Sequence, residues 1–218
     1  MSFSPQRAHA PADESKLSTR ERILETAKRH FARKGFEGAS VRTICEDADA
    51  SANGITYHFG TKQDLYAEIV ENWTSEQLAL AERVLEAKPE SYEDFRIRLK
   101  LFLGEALDAL QRERDVVRIV FRGEEILSKA GRSAALRLLE FHQLIVRFIQ
   151  AGVEIGIVAP DIDASVVAGL LHDRIVNQAA FGGQHKKHLR VSTVDESYRE
   201  TWVEANLRIV LGGILSRE

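Results

Sequence analysis

Apolar residues recur along this chain at intervals of three and four, and no run of strict alternation bounded by turn residues interrupts them. The spacing therefore predicts an all-α fold. A first helix opens at Ser18 with Glu21 three residues on, the pairing in which a hydroxyl and a carboxylate satisfy free backbone N–H groups at a helix start. Leu24, Ala27 and Phe31 fall on one face, and Gly35 marks the end. Two short helices are expected next, over 40–47 with Val41, Ile44, Cys45 and Ala48 inward, and over 51–59 with Ser51 as cap and Ile55 and Phe59 as anchors. Gly60 breaks the run, and Thr61 with Asp64 restarts it as a long connector helix through Leu65, Ile69 and Trp73 to about residue 87. Pro89 closes that helix and Ser91 caps the following one.

Further helices are expected at about 91–112, 115–129, 132–152, 163–181 and 194–216. Their breaks fall at Gly131, at 156–160 and in the Gly-rich segment 181–188, and Thr193 with Glu196 forms a further capping pair. The expected architecture is thus about nine helices. Residues 1–17 form a flexible tail, 18–64 an amino-terminal three-helix helix-turn-helix domain, and 65–218 a carboxy-terminal helical ligand-binding and dimerisation domain joined through the connector.

Composition leaves that picture intact: 44% hydrophobic and 29% charged residues in 218 suit a folded chain with a proper core. The net charge of -3 speaks against a nucleic-acid partner on average, but its distribution does not. The first 34 residues hold eight basic against four acidic side chains, a balance of +4, which leaves -7 for the rest. Any contact with DNA therefore belongs to the front of the chain. The one cysteine, Cys45, rules out an internal disulfide and a cysteine zinc cluster. With no apolar leader and no membrane-length apolar run, a cytoplasmic protein without membrane association is expected.

Two short helices joined by a tight turn, the second small-sided and polar outside, are what a reader of the major groove requires, because that groove admits one helix. Asp49 and Ala50 supply the turn; Asn53, Thr56 and Tyr57 face outward from the second helix. Asparagine can make paired hydrogen bonds to adenine, and hydroxyls can meet phosphate or base edges. Gly54 sits inside that helix at a cost of about 1 kcal/mol relative to Ala. Either close approach to DNA or a close helix crossing would account for it.

The segment from Ala48 to Leu65, with Arg22 to Ala27, Phe31 to Phe36 and Ser40 to Ile44 upstream, resembles the DNA-binding signature of the tetracycline-repressor-like (TetR) family over about residues 19–69. The resemblance implies that Tyr57, His58 and Lys62 hold the phosphate backbone, that Thr43 contacts it from the preceding helix, and that Asn53 and Thr56 read bases. Ser51, at the start of the reading helix, is counted with them as a DNA-binding residue. Thr56 stands where relatives often carry an aromatic residue, and Asp49 where they often carry Gly.

Two recognition helices set 34–36 Å apart by a two-fold axis make an inverted repeat on double-stranded DNA the expected operator. The last two helices carry apolar stripes, Val166, Val167, Leu170 and Leu171 in one and Val203, Leu207, Val210, Leu211 and Ile214 in the other, beside small residues such as Ala168, Gly169, Ala205, Gly212 and Gly213. The stripes serve either an intramolecular core or the four-helix homodimer bundle that the resemblance implies. It also implies a small-molecule effector among the carboxy-terminal helices, whose binding releases a repressor from its operator. Control by a protein partner is the alternative. Candidate effector contacts are Phe102, Phe121, His142, Arg147, Phe148, His172, Arg174 and Asn177, with Phe95 and Gln178 nearby in pattern; core packing is the competing role for the aromatic ones.

Enzymatic function is not expected. There is no phosphate-binding Gly loop, no Glu-x-x-His pair and no nucleophile with an evident base, and Glu124, Glu125 and Asp173 lack catalytic companions. His185 and His188, in the Gly-rich segment, have no third ligand in sequence, so no metal and no cofactor are expected.

Overall fold

A computed structural model describes the backbone of residues 17–122, 129–189 and 196–214. Among the described residues the chain forms nine helices and no strand: α1 (Thr19–Gly38), α2 (Val41–Asp47), α3 (Gly54–Phe59), α4 (Lys62–Leu85), α5 (Tyr92–Arg112), α6 (Arg114–Arg122), α7 (Lys129–Glu154), α8 (Ala164–Leu189) and α9 (Glu196–Ile214). The all-helical class and the count of about nine agree with the spacing of apolar residues. The chain divides into two compact units, residues 1–69 and 70–218, with the boundary inside α4.

In the amino-terminal unit, Ser18 caps α1 as its sequence requires: its hydroxyl accepts from the Glu21 N–H and its own N–H donates to the Glu21 carboxylate at 2.7 Å. The helix does not stop at Gly35. It kinks there, with φ 73° and ψ 176°, a conformation open to Gly alone, and resumes to Gly38. The buried stripe is led by Ile23 rather than Leu24, followed by Ala27, His30 and Phe31. Phe31 and Phe36 both meet the edge of Tyr66 on α4, at 5.0 and 5.1 Å between centroids. Thr61 caps α4 through reciprocal bonds with Asp64, the Asp64 N–H donating to the Thr61 hydroxyl at 3.0 Å and the Thr61 N–H to the Asp64 carboxylate at 3.0 Å.

In the carboxy-terminal unit, α5 is central. Phe95, Leu99, Phe102, Leu103, Ala106, Leu107 and Leu110 are buried along it, and it packs against α6, α8 and α9. Phe95 stacks on Phe148 of α7 at 4.9 Å, and the Arg98 guanidinium lies 4.8 Å over the same Phe148 ring. The Gly-rich segment 181–188 does not break the chain into a loop: α8 runs through it to Leu189, so His185 and His188 lie on a helix, with side chains outside the described residues. Residues 1–16 of the expected 1–17 tail and the Thr193 cap also fall outside the described residues.

The stripes of the last two helices divide between two faces. Val167 and Leu171 on α8, and Val203, Leu207, Val210, Leu211 and Ile214 on α9, are buried. Val166 and Leu170, with Ile209, stand exposed, and a methyl placed on Gly169, Gly212 or Gly213 would meet nothing within 4 Å.

Candidate nucleic-acid interface and interior cavity

The turn between α2 and α3 is built from residues that tolerate unusual backbone. Asp49 adopts φ 49°, a left-handed conformation for which Asp is one of the better non-Gly choices. Arg22 of α1 fixes that turn from the side: its Nε donates to the Ala48 carbonyl, one Nη to the Asp49 carbonyl and the other to the Leu17 carbonyl, each at 3.1 Å. A planar fork with five donors can serve the Ala48 and Asp49 carbonyls, where α2 ends and the turn starts, together with the Leu17 carbonyl ahead of α1. His30 adds a second tie between α1 and α2, its Nε2 lying 2.7 Å from the Asp47 carboxylate.

The reading helix starts later than its sequence suggested. Ser51 does not cap it; Ser51, Ala52 and Asn53 form an exposed turn in which the Gly54 N–H donates to the Ser51 carbonyl at 2.8 Å, and α3 begins at Gly54. Asn53 takes the cap position without a side-chain bond to the helix, which leaves its amide free of the local duty that Asn usually performs there. Gly54 itself is buried: a methyl on it would stand 3.0 Å from the Ile23 Cδ1 and 3.4 Å from the Ala50 Cβ. The close helix crossing accounts for this glycine.

Ile55 anchors α3 in the core, and the opposite face is left to solvent. Thr56 is exposed and Tyr57 is 84% exposed, its ring touching only the edge of His58 at 4.8 Å among aromatic neighbours. Tyr57 is thus no core aromatic. Phe59 is half-buried beneath the Arg20 guanidinium at 4.7 Å, and Arg20 also forks onto the Glu68 carboxylate at 2.6 and 2.7 Å. Lys62 rests 4.4 Å over the Phe36 ring with its ammonium 3.5 Å from the Glu37 carbonyl. Thr43 is half-buried in the first turn of α2, which Ser40 caps. The structure therefore gathers Ser51, Asn53, Thr56 and Tyr57 on exposed backbone around one short helix, with His58 half-buried beside them and Lys62 at the start of the next helix.

The effector candidates are not gathered in this way. An apolar cavity of about 80 Å³ lies among α4, α5, α7 and α8, and of those candidates His172 alone lines it. Burial holds the His172 imidazole below its ordinary pKa, with nearby His142 acting in the same sense and Asp173 opposing. Phe102 and Phe148 are fully buried core residues, Phe102 standing one ring behind the wall through Phe141 at 5.9 Å. His142 is half-buried and Arg147 exposed. Arg174 and Asn177 line a shallow surface groove with Leu170 and Trp202, where Arg174 donates to the Asn206 side chain at 2.8 Å. The Phe121 side chain lies outside the described residues.

Sequence reasoning passed over two cavity residues, Trp73 and Gln77. They are 5% and 4% exposed, and the Trp73 Nε1 and Gln77 Oε1 have no hydrogen-bond partner among the described residues. Their spacing of four on the connector was the available signal, since such a pair shares one helix face. Arg22 was likewise visible only as part of a motif, because the two turn carbonyls it serves lie 26 and 27 residues away.

Residues 23–69 match the family model of bacterial regulatory proteins of the tetR family. The chain is 34% identical over 93 residues to the HTH-type transcriptional repressor AcnR of Corynebacterium efficiens, covering 39% of this chain and 50% of that one. It is 26% identical over 204 residues to the HTH-type transcriptional regulator UidR of Escherichia coli K12, covering 91% and 93%. The matched segment spans about half the length of the AcnR relative. In fold, the ketosteroid transcriptional regulator KstR2 of Mycobacterium tuberculosis superposes with a TM-score of 0.73 at 20% identity, covering 92% of this chain and 96% of that one. Among the described residues no helix is long and apolar enough to cross a membrane, and no cluster of three or more His, Cys, Asp or Glu is placed to hold a metal. The matched segment coincides with the helices that present Asn53, Thr56 and Tyr57, and residues 23–69 thus belong to the TetR family of bacterial regulatory proteins.

Proposed function

We propose that this protein is a sequence-specific, DNA-binding transcriptional repressor that acts as a homodimer on an inverted-repeat operator and is released by a small-molecule effector. The observation that carries the proposal is Tyr57. A large aromatic side chain 84% exposed at the centre of a short helix stabilises nothing in its own fold, and it stands where a phosphate or sugar would meet it. Asn53 and Thr56 flank it with uncommitted polar groups suited to base edges, and Lys62, at the start of α4, supplies the cation for a phosphate. The basic balance of the first 34 residues agrees in sign.

Dimerisation through α8 and α9 is supported by the exposed apolar side chains Val166, Leu170 and Ile209 beside the open glycines Gly169, Gly212 and Gly213. A second copy approaching there would bury apolar surface against small residues, which permit close helix contact. Effector control is supported by the interior cavity, because α4, which begins beside the reading helix, contributes Trp73 and Gln77 to its wall. A ligand that favours one arrangement of the reading heads shifts the DNA equilibrium by that preference and no more.

Selection of genomic fragments on the purified protein, followed by sequencing of what is retained, tests the whole proposal. A short inverted repeat is the expected result. Retention without any common sequence would overturn it.

A further inference from the structure

We infer that Phe36 is a positioning residue for DNA binding: its ring, brought beneath Lys62 by the kink at Gly35, holds the Lys62 ammonium in place with its charge intact for a backbone phosphate. This role rests on the reading of Lys62 as a phosphate contact proposed above.

The Lys62 ammonium is held by neutral groups. Its Nζ lies 4.4 Å from the centroid of the Phe36 ring and 3.5 Å from the Glu37 carbonyl, and no carboxylate partners it among the described residues. Other cations of the same unit are paired with acids: Arg20 with Glu68 at 2.6 Å, Lys28 with Glu25 at 2.8 Å and Arg42 with Glu46 at 2.7 Å. A carboxylate fixes a lysine but offsets the charge that a phosphate must meet, whereas a π face and a carbonyl fix it and leave the charge whole. An ammonium has three N–H donors. With one facing the ring and one the carbonyl, the third is left for a phosphate oxygen.

The ring stands there because α1 kinks. In a regular helix, residues five apart lie about 140° from each other around the axis, so Phe31 and Phe36 would face different ways. Gly35, at φ 73° and ψ 176°, turns the chain in a conformation open to Gly alone. The two rings then meet at 6.0 Å between centroids. Tyr66 closes the cluster, its ring edge-on to Phe31 at 5.0 Å and to Phe36 at 5.1 Å. Tyr66 also lies one turn beyond Lys62 on α4, on the same helix face. One helix therefore sets both the residue that clamps the ring and the cation that rests on it.

The consequence is preorganisation. Fixing a freely rotating lysine on a partner weakens binding by about two- to tenfold through lost rotamer freedom. A lysine already seated on Phe36 has given up much of that freedom before DNA arrives.

The test uses the full-length protein and the selected operator. Phe36→Leu keeps an apolar side chain beside Phe31 and Tyr66 and removes the π face. Fluorescence anisotropy should show affinity weaker by about two- to tenfold per subunit at every salt concentration, with the slope of log affinity against log salt unchanged because Lys62 keeps its charge. In a Lys62→Ala background the same change should weaken binding no further, while a packing role alone would weaken it by one factor in both backgrounds. Phe36→Tyr, which retains a π face, should bind within about twofold of the parent. In the unmodified protein, the Lys62 ε-methylene protons, identified in the NMR spectrum by their loss in Lys62→Ala, should resonate upfield through the ring current of Phe36 and stay there when the operator is bound. That measurement needs no change at Phe36.

Equal losses in the two backgrounds, no loss in Phe36→Leu where Lys62→Ala binds more weakly, or an upfield shift that is absent or vanishes on the operator overturns the positioning role and leaves the phosphate contact standing. Unchanged affinity and salt slope in Lys62→Ala instead remove the phosphate contact, and the positioning role with it.

Discussion

Gly54 lies directly against Ile23, and a methyl group on its Cα would stand 3.0 Å from the Ile23 Cδ1. The crossing of α1 and α3 is thus set by the absence of one side chain on α3 and the presence of one terminal methyl on α1. Ile23 is fully buried, so that methyl has little freedom to move aside.

Gly54→Ala is therefore expected to lower stability despite the better helix propensity of alanine, by about 1–2 kcal/mol net of the roughly 1 kcal/mol propensity gain. Combination with Ile23→Val, which removes the Cδ1, should recover much of that loss. Denaturant midpoints of the four proteins in the cycle check the coupling. Additive losses would mean that the crossing does not exclude the methyl.

Tyr57→Ala and Lys62→Ala are expected to weaken DNA binding across sequences. The tyrosine change should leave the melting temperature unchanged, because its ring is in solvent. The lysine change should also reduce the slope of log affinity against log salt by about 1. Asn53→Ala should instead relax preference at one base pair in each half-site, at a cost of about 1–3 kcal/mol there. Fluorescence anisotropy on the selected operator at several salt concentrations measures all three, and unchanged affinity in both Tyr57→Ala and Lys62→Ala would remove the proposed contacts.

Arg22→Ala removes the donors to the Ala48, Asp49 and Leu17 carbonyls, and Arg22→Lys can replace only part of the fork. The alanine variant should lose about 1–3 kcal/mol of stability and bind the operator more weakly, with base preference preserved. The lysine variant should fall between. Loss of preference at a single base would instead make Arg22 a reader.

The His172 imidazole is held below its ordinary pKa chiefly by burial, with His142 acting in the same direction and Asp173 against it. The unfolded chain then binds the proton more readily than the folded one. The contribution to stability is full above the ordinary histidine pKa near 6.5 and is lost as pH falls through the lower folded value. His172→Gln should flatten the acid limb of melting temperature against pH between about pH 7 and pH 5. An unchanged limb would place the proton elsewhere.

Local chemistry made much of the fold legible. Ser18 with Glu21, Thr61 with Asp64, and Ser91 all cap the helices their spacing indicated, because a cap is a contact across three residues and its partners are adjacent in sequence. The Gly-rich stretch over 181–188 misled, since propensity is a weak prior that a surrounding fold overrides, and α8 continues through it. The start of α3 misled for a related reason: Ser51 is an apt cap by type, but the turn through Asp49 spends three more residues before the helix can begin.

The sequence by itself determined the all-helical class, the order of the helices and the exposed polar face of α3, because each follows from periodicity or from neighbours a few residues apart. Only the tertiary structure decided which stripe of α8 and α9 turns inward, why residue 54 is Gly, and where the interior leaves space. Those depend on side chains far apart in sequence, Ile23 over Gly54 or His172 opposite Trp73 and Gln77, and packing between distant residues has no period along the chain from which it can be read.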